Sequence, residues 1–344
     1  MRVAVVGGGL FGCTAAIYAA RAGHDVHLFE AKPELMCGAT AGTYSRLHRG
    51  YHYPRSAATG RESRRAEKSF RAEYGAAVID SGDQIYVVPS RRSHVTVDQF
   101  RDFLDNEGLP FSEDGGVFQV TEPRINLAVL QTMVRQKVQA AGVQVYLNTC
   151  VHEYDRFDRV VVATYATLNQ VLGDLGMPSQ EYKFQVVERP VVQLPEAFRN
   201  TSIVVVDGPF GCIDPLDETK FHVLGHVTKT IHWENTGTKA FVPERLEPLI
   251  DAGLINPFSG PTNVWEVVHH LARYVPGVGD AVYQGSSFVV RAVLAHQEAT
   301  DRRPTLVTRH NERVISVFSG KLGTAVRAAQ EVLEAIEARE MIAA

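Results

Sequence analysis

Long apolar runs are missing from this chain, and so is any excess of basic charge. Lys and Arg number 35 against 39 Asp and Glu in 344 residues, a net charge of −4. That balance leaves no electrostatic footprint for nucleic acid or an anionic membrane. No segment approaches the ~20 apolar residues of a membrane-spanning helix. The run after Met1-Arg2 is cut by glycine after four residues, too short for a secretory leader. Cysteine is scarce, and Cys13, Cys37, Cys150 and Cys212 have neither metal nor disulfide spacing, which points to a reducing, cytoplasmic setting. Internal repeats and low-complexity linkers are also missing. What remains, 45% apolar and 22% charged residues, is the composition of a globular protein long enough for two domains.

The positive signal lies at the start. Strand-like Val3-Ala4-Val5-Val6 runs into Gly7-Gly8-Gly9-Leu10-Phe11-Gly12, then a helical stretch, then a second strand from Asp25 to Phe29 closed by Glu30. Gly7 permits a sharp turn, Gly9 lets backbone N–H groups approach a pyrophosphate, and Gly12 lets helix and sheet pack closely. The helix N-terminus adds a positive dipole end. Glu30, 18 residues after Gly12, can accept both hydroxyls of an adenosine ribose and would repel a 2′-phosphate. The expected ligand is therefore NAD or FAD, not NADP.

Further nucleotide-domain signals are scattered. Helical spacing at Leu127, Leu130, Val134 and Val138 predicts a helix over 125–141, followed by strands 143–147 and 158–164. A last strand, 314–318, precedes a Gly-Lys-Leu-Gly turn and a helix from Thr324 to Arg339. Between them, 84–88, 116–120, 202–207, 222–227 and 287–293 read as antiparallel strands. The expectation is an α/β fold: a Rossmann-like nucleotide domain assembled from discontinuous segments (1–75, 125–175, 305–344), plus an inserted α+β substrate domain with a mixed, largely antiparallel sheet (76–124, 176–304). The substrate is expected where the two meet.

Three features together resemble the FAD-dependent oxidoreductases of the D-amino-acid oxidase superfamily, which includes glycine oxidase and the FAD-dependent glycerol-3-phosphate and 2-hydroxyglutarate dehydrogenases. They are the cradle with Glu30-Ala31-Lys32, the returning strand Asp158-Arg-Val-Val-Val-Ala-Thr164, and Ser319-Gly320-Lys321-Leu322-Gly323-Thr324. One departure is Tyr165, where the family pattern has glycine. The resemblance implies FAD as the cofactor. It also implies an FAD-binding set of Gly7, Gly9, Leu10, Phe11, Gly12, Glu30, Ala31, Lys32, Arg46, Leu47, His48, Val151, Ala163, Thr164, Gly320, Lys321, Leu322, Gly323 and Thr324. In that layout Lys321 and the N–H groups of Leu322 to Thr324 face the flavin edge that gains negative charge on reduction.

The stretch from Gly42 to Ser56 contains His48-Arg49-Gly50-Tyr51-His52-Tyr53, which is similar to the family's histidine-containing segments past the flavin ring. An uncharged His48 or His52 there could take a proton from a substrate hydroxyl or ammonium; packing alone is the other role open to each. Metal binding by the pair is disfavoured, because Gly50 and Pro54 argue against a helix and no acid completes a ligand set. Arg291, in Val289-Val290-Arg291-Ala292, resembles the family's anion-holding arginine, although Ala292 stands where the family has proline. A guanidinium fork suits a carboxylate or phosphate, and a structural ion pair is the alternative. Tyr53, Phe210 and His226 are candidates for the substrate wall, with a core role the alternative for His226. The run from Arg61 to Lys68 reads as a solvated helix face, and Arg302, Arg303 and Arg309 as surface loop.

The expected activity is removal of a hydride from a CH–OH or CH–NH carbon of a small polar, anionic metabolite. The electron acceptor (oxygen, quinone or a protein) and the choice between amine and alcohol stay open. So do an NAD-dependent dehydrogenase, a non-redox flavin enzyme and a flavin-holding scaffold.

Overall fold

The computed structural model of the chain describes residues 1–42, 44–257, 259–297 and 303–338. A six-stranded sheet runs in the order Leu306–Arg309, Val314–Phe318, Arg159–Val162, Arg2–Val6, Asp25–Phe29, Gln144–Tyr146. It is parallel except for Leu306–Arg309, which pairs antiparallel with Val314–Phe318. Both faces are covered, and for that reason the central strands read as unbroken apolar runs. On one face Val3, Val5, Leu28, Val161 and Ile315 meet helices Leu10–Arg21, Leu127–Ala140 and Ala325–Glu337. On the other, Ala4, Val6, Phe29, Val160 and Val162 pack with Phe157, Leu168, Tyr182 and Phe318. The end expected at Arg339 lies outside the described residues. The strand Leu306–Arg309 corrects the reading of Arg309 as loop.

The second sheet has nine strands and takes every remaining strand but two: Val78–Ile79 and Arg124–Ile125 pair only with each other. Its pairings are antiparallel except that Ser202–Val205 runs parallel to Gln84–Val87. Its spine is Tyr182–Gln193, flanked along its whole length by Val282–Leu294. On the other side it is flanked first by Ile231–Gly237 and then by Phe221–His226. Pro190 has no N–H to give a ladder, and it falls between those two partners, where the pairing breaks. The helix Val264–Leu271 seals one face of this sheet through Val267, Val268 and Leu271.

The helix Ala57–Tyr74 corrects another expectation. Arg61, Arg65 and Lys68 are exposed, but Glu67 is buried and binds both Arg49 and Arg71. Arg64 donates to the Arg49 carbonyl and to Glu107. No helix among the described residues is long and apolar enough to cross a membrane.

Candidate active site

The glycine turn has the geometry its residues dictate. Gly7 sits at φ +106°, where a Cβ would come 2.6 Å from the Ala163 carbonyl oxygen. A Cβ on Gly12 would overlap the Gly7 carbonyl oxygen. Glu30 is held beside this turn by two backbone donors, Gly8 N–H at 2.6 Å and Lys32 N–H at 2.9 Å. Gly9 caps the first helix without a side-chain bond of its own, and Thr40 Oγ1 accepts from Leu10 N–H at 3.2 Å. The side chain of Leu10 is core, so only its backbone faces the turn, and Phe11 is half-buried. Ala31 is exposed, and Lys32 pairs with Asp251 at 2.8 Å. Val151 follows Thr149, whose N–H donates to the Glu30 carbonyl at 2.9 Å.

A cleft of about 960 Å³, counting space open to solvent, lies between the two sheets. One wall is strand 289–294, the other is 318–322, and Gly42, Tyr44, Arg46 and His48 lie between them. Arg46, His48, Arg291, Gly320, Lys321 and Leu322, all singled out in the sequence, line it. Tyr44, Tyr165 and Arg303 line it too; Arg303 was expected on a surface loop, and its neighbour Arg302 lies outside the described residues.

Arg291 donates twice, from Nε at 3.0 Å and Nη2 at 2.5 Å, to Gln185 Oε1. Gln185 in turn gives its amide N–H to Glu234 at 2.8 Å. The guanidinium is thus oriented by a neutral amide. Arg46 is buried, with Nε 3.1 Å from the buried carboxylate of Asp214. Burial opposes its charge, but Asp214 raises its pKa well above the usual value. Arg46 Nη1 and Thr164 Oγ1 are buried polar atoms with no hydrogen-bond partner among the described residues. Orphans of this kind mark where a polar ligand belongs. With the glycine cradle and Glu30, they fit a dinucleotide cofactor reaching from the turn at Gly7 into the cleft.

His48 is lowered below the ordinary imidazole value, first by burial and then by Lys321 and Arg46, with Glu122 opposing. It is therefore neutral at neutral pH. Its ring lies 5.7 Å from those of His52 and Tyr53. Lys321 Nζ stands 4.7 Å over the Tyr53 ring, so Tyr53 supports the site from behind. Leu322–Thr324 form a short 3-10 turn before the last helix, and Leu47 packs against Gly323. Thr324 N–H closes that turn onto the Lys321 carbonyl at 3.0 Å. Of the three N–H groups expected to serve a ligand, Thr324's is thus used within the protein.

Phe210 and His226 do not line the cleft. Phe210 packs into the core under helix Val264–Leu271. His226 Nε2 lies 3.2 Å from His270 Nδ1, while its Nδ1 accepts from the N–H groups of Thr228 and Lys229. Strand alternation sets which face a residue takes, but the sequence does not show which face holds the cleft.

Tyr165 explains its own departure from the family pattern. Its φ is +53°, the left-handed region that glycine enters freely. Its hydroxyl donates to the Ala292 carbonyl at 3.1 Å, tying the end of the first sheet to the Arg291 strand. Gln185, Glu122 and Arg303 carried no signal in the sequence, because only pairing across distant strands brings them to the site. No group of three or more His, Cys, Asp or Glu among the described residues is placed to hold a metal.

Comparison with known proteins agrees with this geometry. Residues 2–290 match the model of the DAO family, FAD dependent oxidoreductase. The FAD-dependent monooxygenase kojA of Aspergillus flavus is 28% identical over 98% of this chain and 86% of its own. FAD-dependent monooxygenase FPY4 of Fusarium mangiferae is 24% identical over 97% of this chain and 90% of its own. The crystal structure of glycine oxidase from Geobacillus kaustophilus superposes with a TM-score of 0.73 at 16% identity, covering 99% of this chain and 96% of the other. NikD, an amino acid oxidase of nikkomycin biosynthesis, gives 0.70 at 13%, covering 98% and 94%. A cradle for a dinucleotide, a cationic cleft between the sheets and a family match over most of the length agree: this chain belongs to the DAO family of FAD-dependent oxidoreductases.

Proposed function

We propose that the protein oxidises a CH–OH or CH–NH carbon of a small polar, anionic metabolite bound in this cleft. The observation that carries the reading is the meeting, on one cleft, of a guanidinium oriented by a neutral amide, a second cation and a neutral imidazole: Arg291, Lys321 and His48. Bound FAD supplies the electron-pair acceptor for the oxidation. Arg291 takes the carboxylate or other anionic group in a forked hydrogen bond. His48 accepts the proton leaving the substrate hydroxyl or ammonium. Arg46 and Lys321 keep the cleft positive, which favours an anion at both the binding and the reacting end. The first sheet, drawn from 1–75, 125–175 and 305–344, serves as the FAD domain, and the second, from 76–124 and 176–304, holds the substrate.

Anaerobic mixing of the yellow holoprotein with amino acids, amines and hydroxy acids tests this, with loss of the flavin absorption band as the readout. At least one anionic member of the panel should bleach it. Readmitting air, a quinone or a protein acceptor then identifies the electron acceptor. Arg291→Ala should raise KM for that substrate about tenfold to a hundredfold, the loss of one charge-assisted bond; an unchanged KM removes Arg291 from the site.

A second reading is favoured by the curated relatives, which are named monooxygenases. In that case no substrate bleaches the flavin alone, and turnover needs a separate reductant together with oxygen. A scaffold role predicts neither response.

A further inference from the structure

A buried acid, Glu122, stands beside the cleft and takes no part in the steps proposed so far. Glu122 lies between the strand Val117–Val120 and the short strand Arg124–Ile125, with its side chain fully enclosed. A backbone ladder sets it beside the cleft. Leu47 N–H donates to the Pro123 carbonyl at 2.8 Å, Ile125 N–H to the Ser45 carbonyl at 2.5 Å, and Arg46 and Arg124 form a bridge pair. The segment that carries His48 is therefore laid antiparallel along the segment that carries Glu122.

Two donors then fix the carboxylate. Tyr86 Oη donates to Oε2 and Arg49 N–H donates to Oε1, each at 2.7 Å. The same Oε1 stands 3.6 Å from His48 Nδ1, a buried nitrogen with no hydrogen-bond partner among the described residues. Burial and the adjacent carboxylate keep Tyr86 protonated and so a donor. Against burial, His48, Arg46 and the Tyr86 hydroxyl hold Glu122 below the ordinary carboxylate value, so it stays ionised.

We propose that Glu122 is a positioning residue for His48, its carboxylate taking Nδ1–H and leaving the unprotonated Nε2 as the nitrogen offered to the cleft. The logic is that of any imidazole base: the bond made by one nitrogen decides which tautomer the other presents. A proton arriving from a substrate heteroatom at Nε2 leaves an imidazolium whose Nδ1–H already faces a carboxylate, and Glu122 remains ionised throughout. The other charged or titratable groups around the ring are Lys321 from the turn before the last helix, and Arg46, His52 and Tyr53 from its own segment; helix Ala57–Tyr74 brings Ser63. Both cations disfavour the imidazolium, and Glu122 is the carboxylate that opposes them.

The proposal rests on the reading of His48 as the base, yet the two can fail separately. Long-range proton–nitrogen correlation spectra of ¹⁵N-labelled holoenzyme, with His48 assigned by its loss in His48→Asn, report the tautomer directly. We expect the neutral ring to carry its proton on Nδ1. In Glu122→Gln the His48 titration midpoint should move to lower pH, and in Tyr86→Phe, where the acid loses one of its two anchors, in the same direction by less. A neutral ring protonated on Nε2, or a midpoint unmoved in Glu122→Gln, overturns the proposal. If that variant fails to fold, the wild-type tautomer alone decides. An Nδ1–H tautomer combined with unaltered flavin bleaching in His48→Asn would leave the pair standing and end the reading of His48 as the base.

Discussion

A single residue, Tyr165, shows how strain and function meet in this cleft. A non-glycine side chain at φ +53° costs about 1–2 kcal/mol. The hydroxyl bond to Ala292 returns about 1 kcal/mol, and the ring fills part of the cleft beside Arg291 and Phe318. Tyr165→Gly removes the strain and the ring together. The variant should fold, and kcat/KM for a bulky substrate relative to a small one should rise; an unchanged ratio across a size series would show that the ring does not limit the cleft. The sequence displayed this site only as a departure from a family pattern. That the position requires a left-handed backbone was invisible until the turn after Val162 was seen.

Among the elements, the second sheet carries a histidine pair that answers to pH. Burial, His270 and Lys229 lower His226 to about 4, against about 6.5 in an unfolded chain. Between those values the unfolded chain binds a proton that the native state refuses, so stability falls as pH drops from about 6.5 towards 4. The slope for one such group is about 1.4 kcal/mol per pH unit. Urea midpoints across that window should show the loss, and His226→Asn should flatten it; a parallel slope in the variant assigns the effect to other groups. His226 was a candidate for the substrate wall, with a core role as the alternative. Its strand was legible from alternation, but the face it uses depends on helix Val264–Leu271, which covers it. Period-two patterning cannot distinguish a face covered by a helix from a face lining a cleft.

For the molecule as a whole, two sheets built from interleaved stretches of chain meet along the cleft, and the first sheet carries both the glycine turn at Gly7 and the turn at Lys321. Glu30→Ala removes the acceptor that Gly8 and Lys32 N–H groups hold in place. FAD should then dissociate about tenfold to a hundredfold more readily, read by flavin fluorescence on dilution, with far-ultraviolet circular dichroism unchanged. Retention equal to wild type would mean that Glu30 makes no contact with the cofactor. The cradle, its acid, the parallel strands and the turn at Lys321 were all readable in the sequence, because each depends on residues close together in the chain and on the stereochemistry of glycine. Arg46, His48 and Arg291 were named on resemblance, and their convergence required the fold. What only tertiary structure decided is which polar side chains face one another: Gln185 on Arg291, Asp214 on Arg46, Glu122 on His48. Those pairs lie 74 or more positions apart along the chain. Local propensity carries no information across such a distance; strand register does.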